Sequence, residues 1–214
     1  MLKRPVSLLF AAVVALAAVA MAGPAVAGAP TEVLKAYSEQ VVKILEDPAL
    51  KSEDKRSERR AAVRKVAIDV FDVEETAKRA LGRHWQGRSA EERREFVDLF
   101  ADLLERTYIS KIDLYGGERI KFTQEQMDGA DRAVVRGKVV TKRGTEIPVE
   151  ARMNKRGDKW LMYDVLLENI SLVGNYRAQF DQIIRTASYG ELVKRLREKR
   201  LDTSESAPAQ RTSR

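Results

Sequence analysis

Apolar residues recur at helical spacing in the first part of the chain. This pattern predicts a first helix that is capped by Thr31 and a second helix that runs through 63–70. Asp72 is expected to cap a third helix over 73–81. Gly82 then occupies the position at which a left-handed residue commonly closes a helix.

A long fourth helix is predicted over about 90–114. Ser89 and Glu92 form the S-x-x-E capping box that opens it, and a Gly-Gly pair stops it. Its apolar stripe is wide and rich in aromatic residues, which indicates a helix with a broad buried face. Two closing helices are predicted near the C-terminus, over about 172–186 and 189–200.

The pattern changes to a period of two between the fourth helix and the closing helices. Four strands are predicted, separated by turn residues, over about 119–124, 133–141, 145–153 and 159–168. Consecutive strands joined by short turns form antiparallel pairs. The order of helices, meander and helices indicates an α+β fold, in which N- and C-terminal helices wrap a curved antiparallel sheet of about four strands.

The last of these strands is apolar along nearly its whole length, and only Asp164 interrupts the run from Trp160 to Leu167. Strict alternation divides these residues into two apolar faces: Trp160, Met162 and Leu166 on one, and Leu161, Tyr163, Val165 and Leu167 on the other. Antiparallel sheets usually leave one face wet. A strand with two apolar faces therefore requires a second covering, which is either a helix layer or a hydrocarbon ligand.

The first residues have the features of a secretory signal. Two basic residues precede an uncharged apolar run over 8–22, which is shorter than the roughly 20 residues that span a bilayer. Residues 25–27 form a small-x-small cleavage site, so we expect 1–27 to be a signal peptide. Cleavage after Ala22 and retention as an uncleaved anchor are the alternatives.

We expect residues 28–200 to form a single domain and the Ser-, Thr-, Ala- and Pro-rich residues 201–214 to form a disordered polar tail. The chain has no Cys, so no lipid can be attached at the signal junction and no disulfide is available. The exported product is expected in a bacterial periplasm. Its modest positive charge fits anionic membrane surfaces and an ordinary soluble surface equally well, and nucleic acid is not an expected partner.

The chain offers little catalytic chemistry. With no Cys and with His84 as its single histidine, a thiol nucleophile and a zinc site of several histidines are both excluded. His84 follows a helix end and is more simply explained as a loop residue than as a general base. Asp164 could be a perturbed carboxylate in a pocket. The alternative is an acid that bonds backbone or pairs with an arginine, for which Arg177 is a candidate.

Four stretches within 37–199 have a distinctive order and spacing. They are FDV at 71–73 with ALGRHW at 80–85; SAEER at 89–93 with the aromatic stripe that follows; YGGE at 115–118; and WLMYDV at 160–165 with SLV at 171–173, NYR at 175–177 and QF at 179–180. Together they resemble the MlaC or toluene-tolerance family, the periplasmic phospholipid-binding components of the maintenance-of-lipid-asymmetry pathway. Asn169 departs from the pattern, because a glycine is expected before Ile170.

The resemblance implies a carrier without enzymatic activity. Such a protein carries a phospholipid between an outer-membrane lipoprotein complex and an inner-membrane ABC transporter with its substrate-binding ring, and so maintains outer-membrane lipid asymmetry. The bound phospholipid would be its ligand, and no cofactor or metal is expected. The resemblance also implies a fold similar to the cone of nuclear transport factor two, with the acyl tails in a cavity and the headgroup outside. We expect a monomer.

The cavity walls are expected to come from the sheet and from two helices. Each residue taken alone is more often part of an ordinary core, and the total of apolar residues is what favours a cavity. The expected lipid-binding residues are Phe96, Phe100, Leu103, Leu104 and Tyr108 on the long helix; Ile147, Val149, Met153, Leu161, Tyr163, Val165 and Leu167 on the strands; and Leu172, Val173, Tyr176, Phe180 and Ile184 on the helix that follows them. A cavity for two acyl chains should reach or exceed about 1,000 Å³.

Two other functions fit the same residues. One is a carrier of a different apolar lipid, such as a hopanoid or another isoprenoid, because hydrocarbon pockets discriminate weakly. The other is an enzyme of the same cone fold that acts on an apolar substrate, with Asp164 and His84 as acid and base.

Overall fold

The computed structural model describes residues 29–201. In that part of the chain the elements are α1 (Ala29–Glu46), α2 (Arg56–Val70), α3 (Val73–Leu81), α4 (Ala90–Tyr108), β1 (Arg119–Met127), β2 (Arg132–Val140), β3 (Glu146–Arg156), β4 (Lys159–Leu167), β5 (Ile170–Ser171), α5 (Leu172–Thr186) and α6 (Tyr189–Arg197). The expected signal peptide, and the expected tail beyond residue 201, lie outside the described residues. No helix within 29–201 combines the length and the apolar character that crossing a membrane requires.

The five strands form one open antiparallel sheet in the order β1-β2-β3-β4-β5, which confirms the predicted fold class. The short strand β5 was not predicted. It follows a two-residue turn in which Glu168 and Asn169 have φ values of 50° and 66°. Such turns favour glycine and asparagine, so Asn169 stands at a position where a glycine would be expected.

The predicted division of β4 into two apolar faces is wrong, because a β-bulge interrupts the alternation. Arg152 pairs with Asp164, whereas the next residue, Met153, pairs with Met162, so Tyr163 is an extra residue on β4. A bulge reverses the facing of every later residue in the strand. Val165 and Leu167 therefore lie on the same face as Met162, and Leu166 lies on the opposite face with Leu161.

The apolar face of the sheet packs against α1 and α2. The buried residues of this layer are Leu34 and Val70 from the helices and Ala133, Val135, Ala151, Met153 and Trp160 from the strands. The opposite face carries charge pairs, including Arg136 Nε to Glu150 Oε2 at 2.9 Å and Arg152 Nε to Glu150 Oε1 at 3.2 Å. This face is exposed to solvent along β2 and β3, as is usual for an antiparallel sheet. At β4 its residues Asp164 and Leu166 are buried.

A second core lies between α3, α4, α5 and α6. Its centre is a group of aromatic side chains whose ring centroids are 5.1 to 5.9 Å apart: Phe96, Phe100, Tyr176 and Phe180. Most of these pairs are edge-to-face, the arrangement that the ring quadrupole favours. The wide aromatic stripe of α4 therefore faces other helices.

The helix termini follow local signals at most of the predicted positions. The Ser89–Glu92 capping box is present, and the carboxylate of Asp72 accepts the N–H of Glu75 at 3.0 Å. The fourth helix is α-helical only to Tyr108 and continues as a 3₁₀ turn over Ile109–Leu114. Thr31 does not cap α1, because the helix begins two residues earlier and the Thr31 N–H and hydroxyl donate to Glu125 of β1.

Candidate functional site

An apolar cavity of about 580 Å³ lies between the helices and the β4–β5 side of the sheet. Its walls come from α2 and the start of α3, from α4 with the 3₁₀ turn that follows it, and from β4, β5 and the start of α5. The lining side chains are mostly apolar and include Ala67, Phe71, Leu104, Val165, Leu167 and Leu172. The volume is typical of a small-molecule site and smaller than the 1,000 Å³ expected for two acyl chains.

Hydrogen bonds to the backbone of β4 hold the junction between α2 and α3 in place. This junction forms one wall of the cavity. The N–H of Asp72 donates to the carbonyl of Met162 at 2.9 Å. The Thr76 hydroxyl lies within hydrogen-bond distance of two carbonyls, that of Asp72 at 2.7 Å and that of Tyr163 at 3.0 Å. The bulge at Tyr163 then turns Val165 toward this junction. The position of the cavity wall therefore depends on the bulge.

The rim of the cavity exposes large apolar side chains. Ile68 is 57% exposed, Ile170 is 48% exposed and Tyr108 is 36% exposed, and all three line the cavity. Apolar side chains exposed together at the mouth of a cavity mark a binding surface. Partial burial raises the pKa of the Tyr108 hydroxyl, and the neighbouring phenol of Tyr176 adds to this effect. Tyr108 is therefore a neutral hydroxyl over the physiological range.

Five of the predicted lipid-binding residues line the cavity: Leu104, Tyr108, Val165, Leu167 and Leu172. Seven others belong to the helical core or pack against it: Phe96, Phe100, Leu103, Val173, Tyr176, Phe180 and Ile184. Met153 belongs to the core beneath the sheet. For the five lining residues, contact with a lipid stays a prediction.

The remaining predicted residues lie on the strands away from this cavity. Ile147 and Val149 are partly buried on the apolar face of β3. Leu161 pairs with Asn154 on the opposite face. Tyr163 is buried at the bulge, where the guanidinium carbon of Arg79 lies 4.0 Å from its ring centroid.

The wall that α2 and the start of α3 contribute was not predicted from the sequence. This wall includes Ala67, Ile68, Phe71 and Val73. The sequence contained one indication of this wall. Ile68 lies outside the helical stripe of buried residues formed by Val63, Val66 and Val70. An isoleucine on the polar side of an amphipathic helix is a candidate for a second apolar contact.

The two candidate acid–base residues are engaged elsewhere. His84 Nε2 lies 2.8 Å from Asp181 Oδ1, and this contact lowers the pKa of the Asp181 carboxyl. Asp164 accepts hydrogen bonds from the Ser171 hydroxyl at 2.7 Å and the Val173 N–H at 3.0 Å. The predicted partner Arg177 is wrong, because the arginine near Asp164 is Arg152, at 3.5 Å.

Neither His84 nor Asp164 lines the cavity. Among residues 29–201 no cluster of His, Asp or Glu has the geometry of a metal site. A second depression, an open groove of about 1,310 Å³, lies between α1 and β1. Charged residues such as Lys35, Glu46 and Arg119 alternate in it with apolar ones. The 580 Å³ cavity is the better candidate for an apolar ligand because few charged groups line it.

The fold and the cavity define a class of α+β protein in which helices and an open antiparallel sheet enclose an apolar pocket. The family model described as MlaC protein matches residues 35–198. The chain therefore belongs to the MlaC family.

The chain is similar to known phospholipid-binding proteins, among them two from Haemophilus influenzae and Ralstonia solanacearum. It is 22% identical over 118 residues to the intermembrane phospholipid transport system binding protein MlaC of Haemophilus influenzae. That match covers 53% of the chain and 55% of the relative, so the chain spans about half the length of this relative. A phospholipid-binding protein from Ralstonia solanacearum, solved in complex with a phospholipid, has a TM-score of 0.67 at 24% identity. The likeness covers 78% of this chain and 94% of that one, and it shows the fold.

Proposed function

We propose that the protein binds a phospholipid and carries it through the periplasm between two membranes. The observation that carries this proposal is the apolar cavity of about 580 Å³, which opens at a rim of exposed apolar side chains. Membership of the MlaC family supports it, as do the phospholipid-binding relatives in Haemophilus influenzae and Ralstonia solanacearum.

The energetics of acyl-chain burial suit a carrier. Each buried CH₂ contributes about 0.8 kcal/mol relative to water, in a bilayer and in a protein cavity alike. Two full chains would approach the roughly 20 kcal/mol ceiling of non-covalent affinity. Because the lipid gains similar free energy in both environments, its transfer between membrane and protein is close to balanced. The membrane partners can then set the direction of transport.

A two-chain lipid needs more room than the 580 Å³ of the cavity in this structure. We infer that the walls move apart on loading and that the 109–114 turn takes part. Six residues is long for a 3₁₀ helix, whose hydrogen bonds are poorly aligned. The turn is held to α2 by side chains, since Asp113 accepts from Arg59 at 2.9 Å and from Arg60.

Lipid extraction tests the proposal directly. Protein purified from its native host would be extracted with organic solvent, and the extract analysed by mass spectrometry. We expect close to one phospholipid per chain. Recovery of a hopanoid or another isoprenoid would favour the alternative carrier. Recovery of no lipid, together with failure to load from vesicles, would reject a carrier function.

A pair of matched variants on α2 tests whether the lipid occupies the cavity. Ala67 lines the cavity, whereas Ala61 is exposed on the same helix. We expect Ala67→Trp to reduce lipid loading several-fold by filling the space that an acyl chain needs, and Ala61→Trp to leave loading unchanged. Equal loading by both variants would place the lipid elsewhere.

The transport pathway is the further part of the proposal. We propose that the partners are an outer-membrane lipoprotein complex and an inner-membrane ABC transporter with a substrate-binding ring, and that the protein maintains outer-membrane lipid asymmetry. The expected location is tested by mass spectrometry of the periplasmic fraction, where the mature chain should begin at Gly28. Loss of the protein should raise the phospholipid content of the outer leaflet, as measured by labelling of surface-exposed lipid.

A further inference from the structure

The rim of the cavity carries an unbalanced positive charge. Three charged side chains line the cavity, namely Arg64, Glu105 and Lys111. Arg64 Nε lies 2.8 Å from Glu105 Oε2, so these two charges neutralise each other. Both side chains are partly exposed, which places the ion pair where the cavity meets solvent.

Lys111 has no such partner among the residues that the structure describes. Its Nζ lies 5.7 Å from the ring centroid of Tyr108, so the cation stands against the cavity wall, within the range of a cation–π contact. Within residues 29–201 no carboxylate forms an ion pair with Lys111. The rim therefore has a net charge of about one positive unit.

We propose that Lys111 makes the cavity selective for lipids whose headgroup has a net negative charge. This inference rests on the proposed function, because acyl chains inside the cavity would leave the lipid phosphate at the rim. A zwitterionic headgroup adds an ammonium group, which Lys111 repels. Glu105 is already bonded to Arg64 and offers that ammonium little compensation. An anionic headgroup presents its phosphate to Lys111 and carries no ammonium group.

The effect of a single exposed charge is modest. Coupling between exposed charges in water corresponds to a preference of about two- to fivefold. The preference should weaken as ionic strength rises and the Debye length shortens. Both lipids bury the same acyl chains, so the total amount of bound lipid does not depend on the headgroup. The ratio of the two bound lipids measures the headgroup preference separately.

A competition experiment measures the preference. Delipidated mature protein would be incubated with vesicles of equimolar phosphatidylglycerol and phosphatidylethanolamine, re-isolated and extracted for mass spectrometry. The bound phosphatidylglycerol-to-phosphatidylethanolamine ratio should exceed the donor ratio by about two- to fivefold. Replacing phosphatidylethanolamine with phosphatidylcholine should give the same preference, because both headgroups have zero net charge.

Three variants identify the responsible charge. Lys111→Gln should return the bound ratio to the donor ratio, and Glu105→Gln should raise it because Arg64 then loses its partner. Lys194→Gln removes the same charge from an exposed position on α6 and should leave the ratio unchanged. A wild-type ratio equal to the donor ratio, or an unchanged ratio in Lys111→Gln, would overturn the inference while loading continues. If the wild-type protein bound neither lipid, the proposed function and the inference would both be overturned.

Discussion

The carboxylate of Asp164 on β4 accepts a hydrogen bond from the backbone N–H of Val173 in the first turn of α5. The same carboxylate accepts the hydroxyl of Ser171, whose oxygen in turn caps α5 by accepting the N–H of Gly174 at 2.8 Å. A negative charge at a helix N-terminus is favourable because the first N–H groups there have no partner within the helix. Asp164 thus anchors α5 to the sheet.

Removing this carboxylate should destabilise the protein without abolishing lipid binding. Asp164 is 3% exposed, so Asp164→Ala would leave a buried N–H without a partner. We expect the free energy of unfolding to fall by about 1.5 to 3 kcal/mol, measured by urea denaturation. Asp98→Ala, at an exposed position on α4, is the control. Loss of lipid binding at unchanged stability would contradict the anchoring role.

Asp72 should make the fold sensitive to acid. Burial alone would raise its pKa, but hydrogen bonds from Arg156, Asn154 and the Glu75 N–H outweigh burial and hold the pKa of the carboxyl below its ordinary value. A group with a lowered folded-state pKa stabilises the fold at pH values above its unfolded pKa of about 3.9. That stabilisation is lost as the pH falls through the folded-state pKa.

The test is the pH dependence of stability in Asp72→Asn. We expect this variant to lose about 1 to 3 kcal/mol of unfolding free energy at pH 7. Its stability should then fall less than that of the wild type as the pH falls below about 4. Asp54→Asn, at an exposed position before α2, serves as the control. Parallel pH profiles for Asp72→Asn and wild type would argue against this role.

Core and cavity residues of α4 should respond differently to truncation. Phe100 is fully buried, and its ring centroid lies 5.1 Å from that of Tyr176 and 5.4 Å from that of Phe180. Phe100→Ala should lower the unfolding free energy by about 3 to 5 kcal/mol. Leu104→Ala should have a smaller effect because Leu104 faces the cavity and is only partly buried.

Lipid loading per folded molecule separates the two roles. Loading should change in Leu104→Ala, which alters the cavity wall, and stay near the wild-type value in Phe100→Ala. The opposite result would indicate that lipid reaches the aromatic cluster of the helical core.

Adding a side chain at Gly137 should destabilise the protein. It lies on β2 opposite Phe122, beside an irregularity in β1, and a Cβ at this position would lie 2.8 Å from the carbonyl oxygen of Lys121. Gly137→Ala should lower the unfolding free energy by about 1 to 3 kcal/mol, because backbone atoms cannot rotate away as a side chain can. Gly87→Ala, where a Cβ would meet nothing within 4 Å, is the matched control.

Local interactions made much of the fold predictable. The capping box at Ser89 and the cap at Asp72 satisfy N–H groups three residues away, so a short stretch of sequence specifies them. The period-two pattern likewise predicted the four long strands. The 3₁₀ continuation after Tyr108 was not predicted, because its apolar spacing is close to that of an α-helix.

By itself, the sequence determined the fold class, the helix caps at Asp72 and Ser89 and the MlaC family, because these depend on local patterns that are written in order along the chain. Only the tertiary structure decided which face of β4 meets the helices. One extra residue, Tyr163, reverses the facing of Val165 and Leu167, and a bulge depends on the register with the neighbouring strand. The packing of α4 and α5 against their neighbours separated the aromatic core residues from Leu104, Tyr108 and Leu172, which line the cavity. Residues of both groups are equally apolar, and only the packing of distant elements distinguishes them.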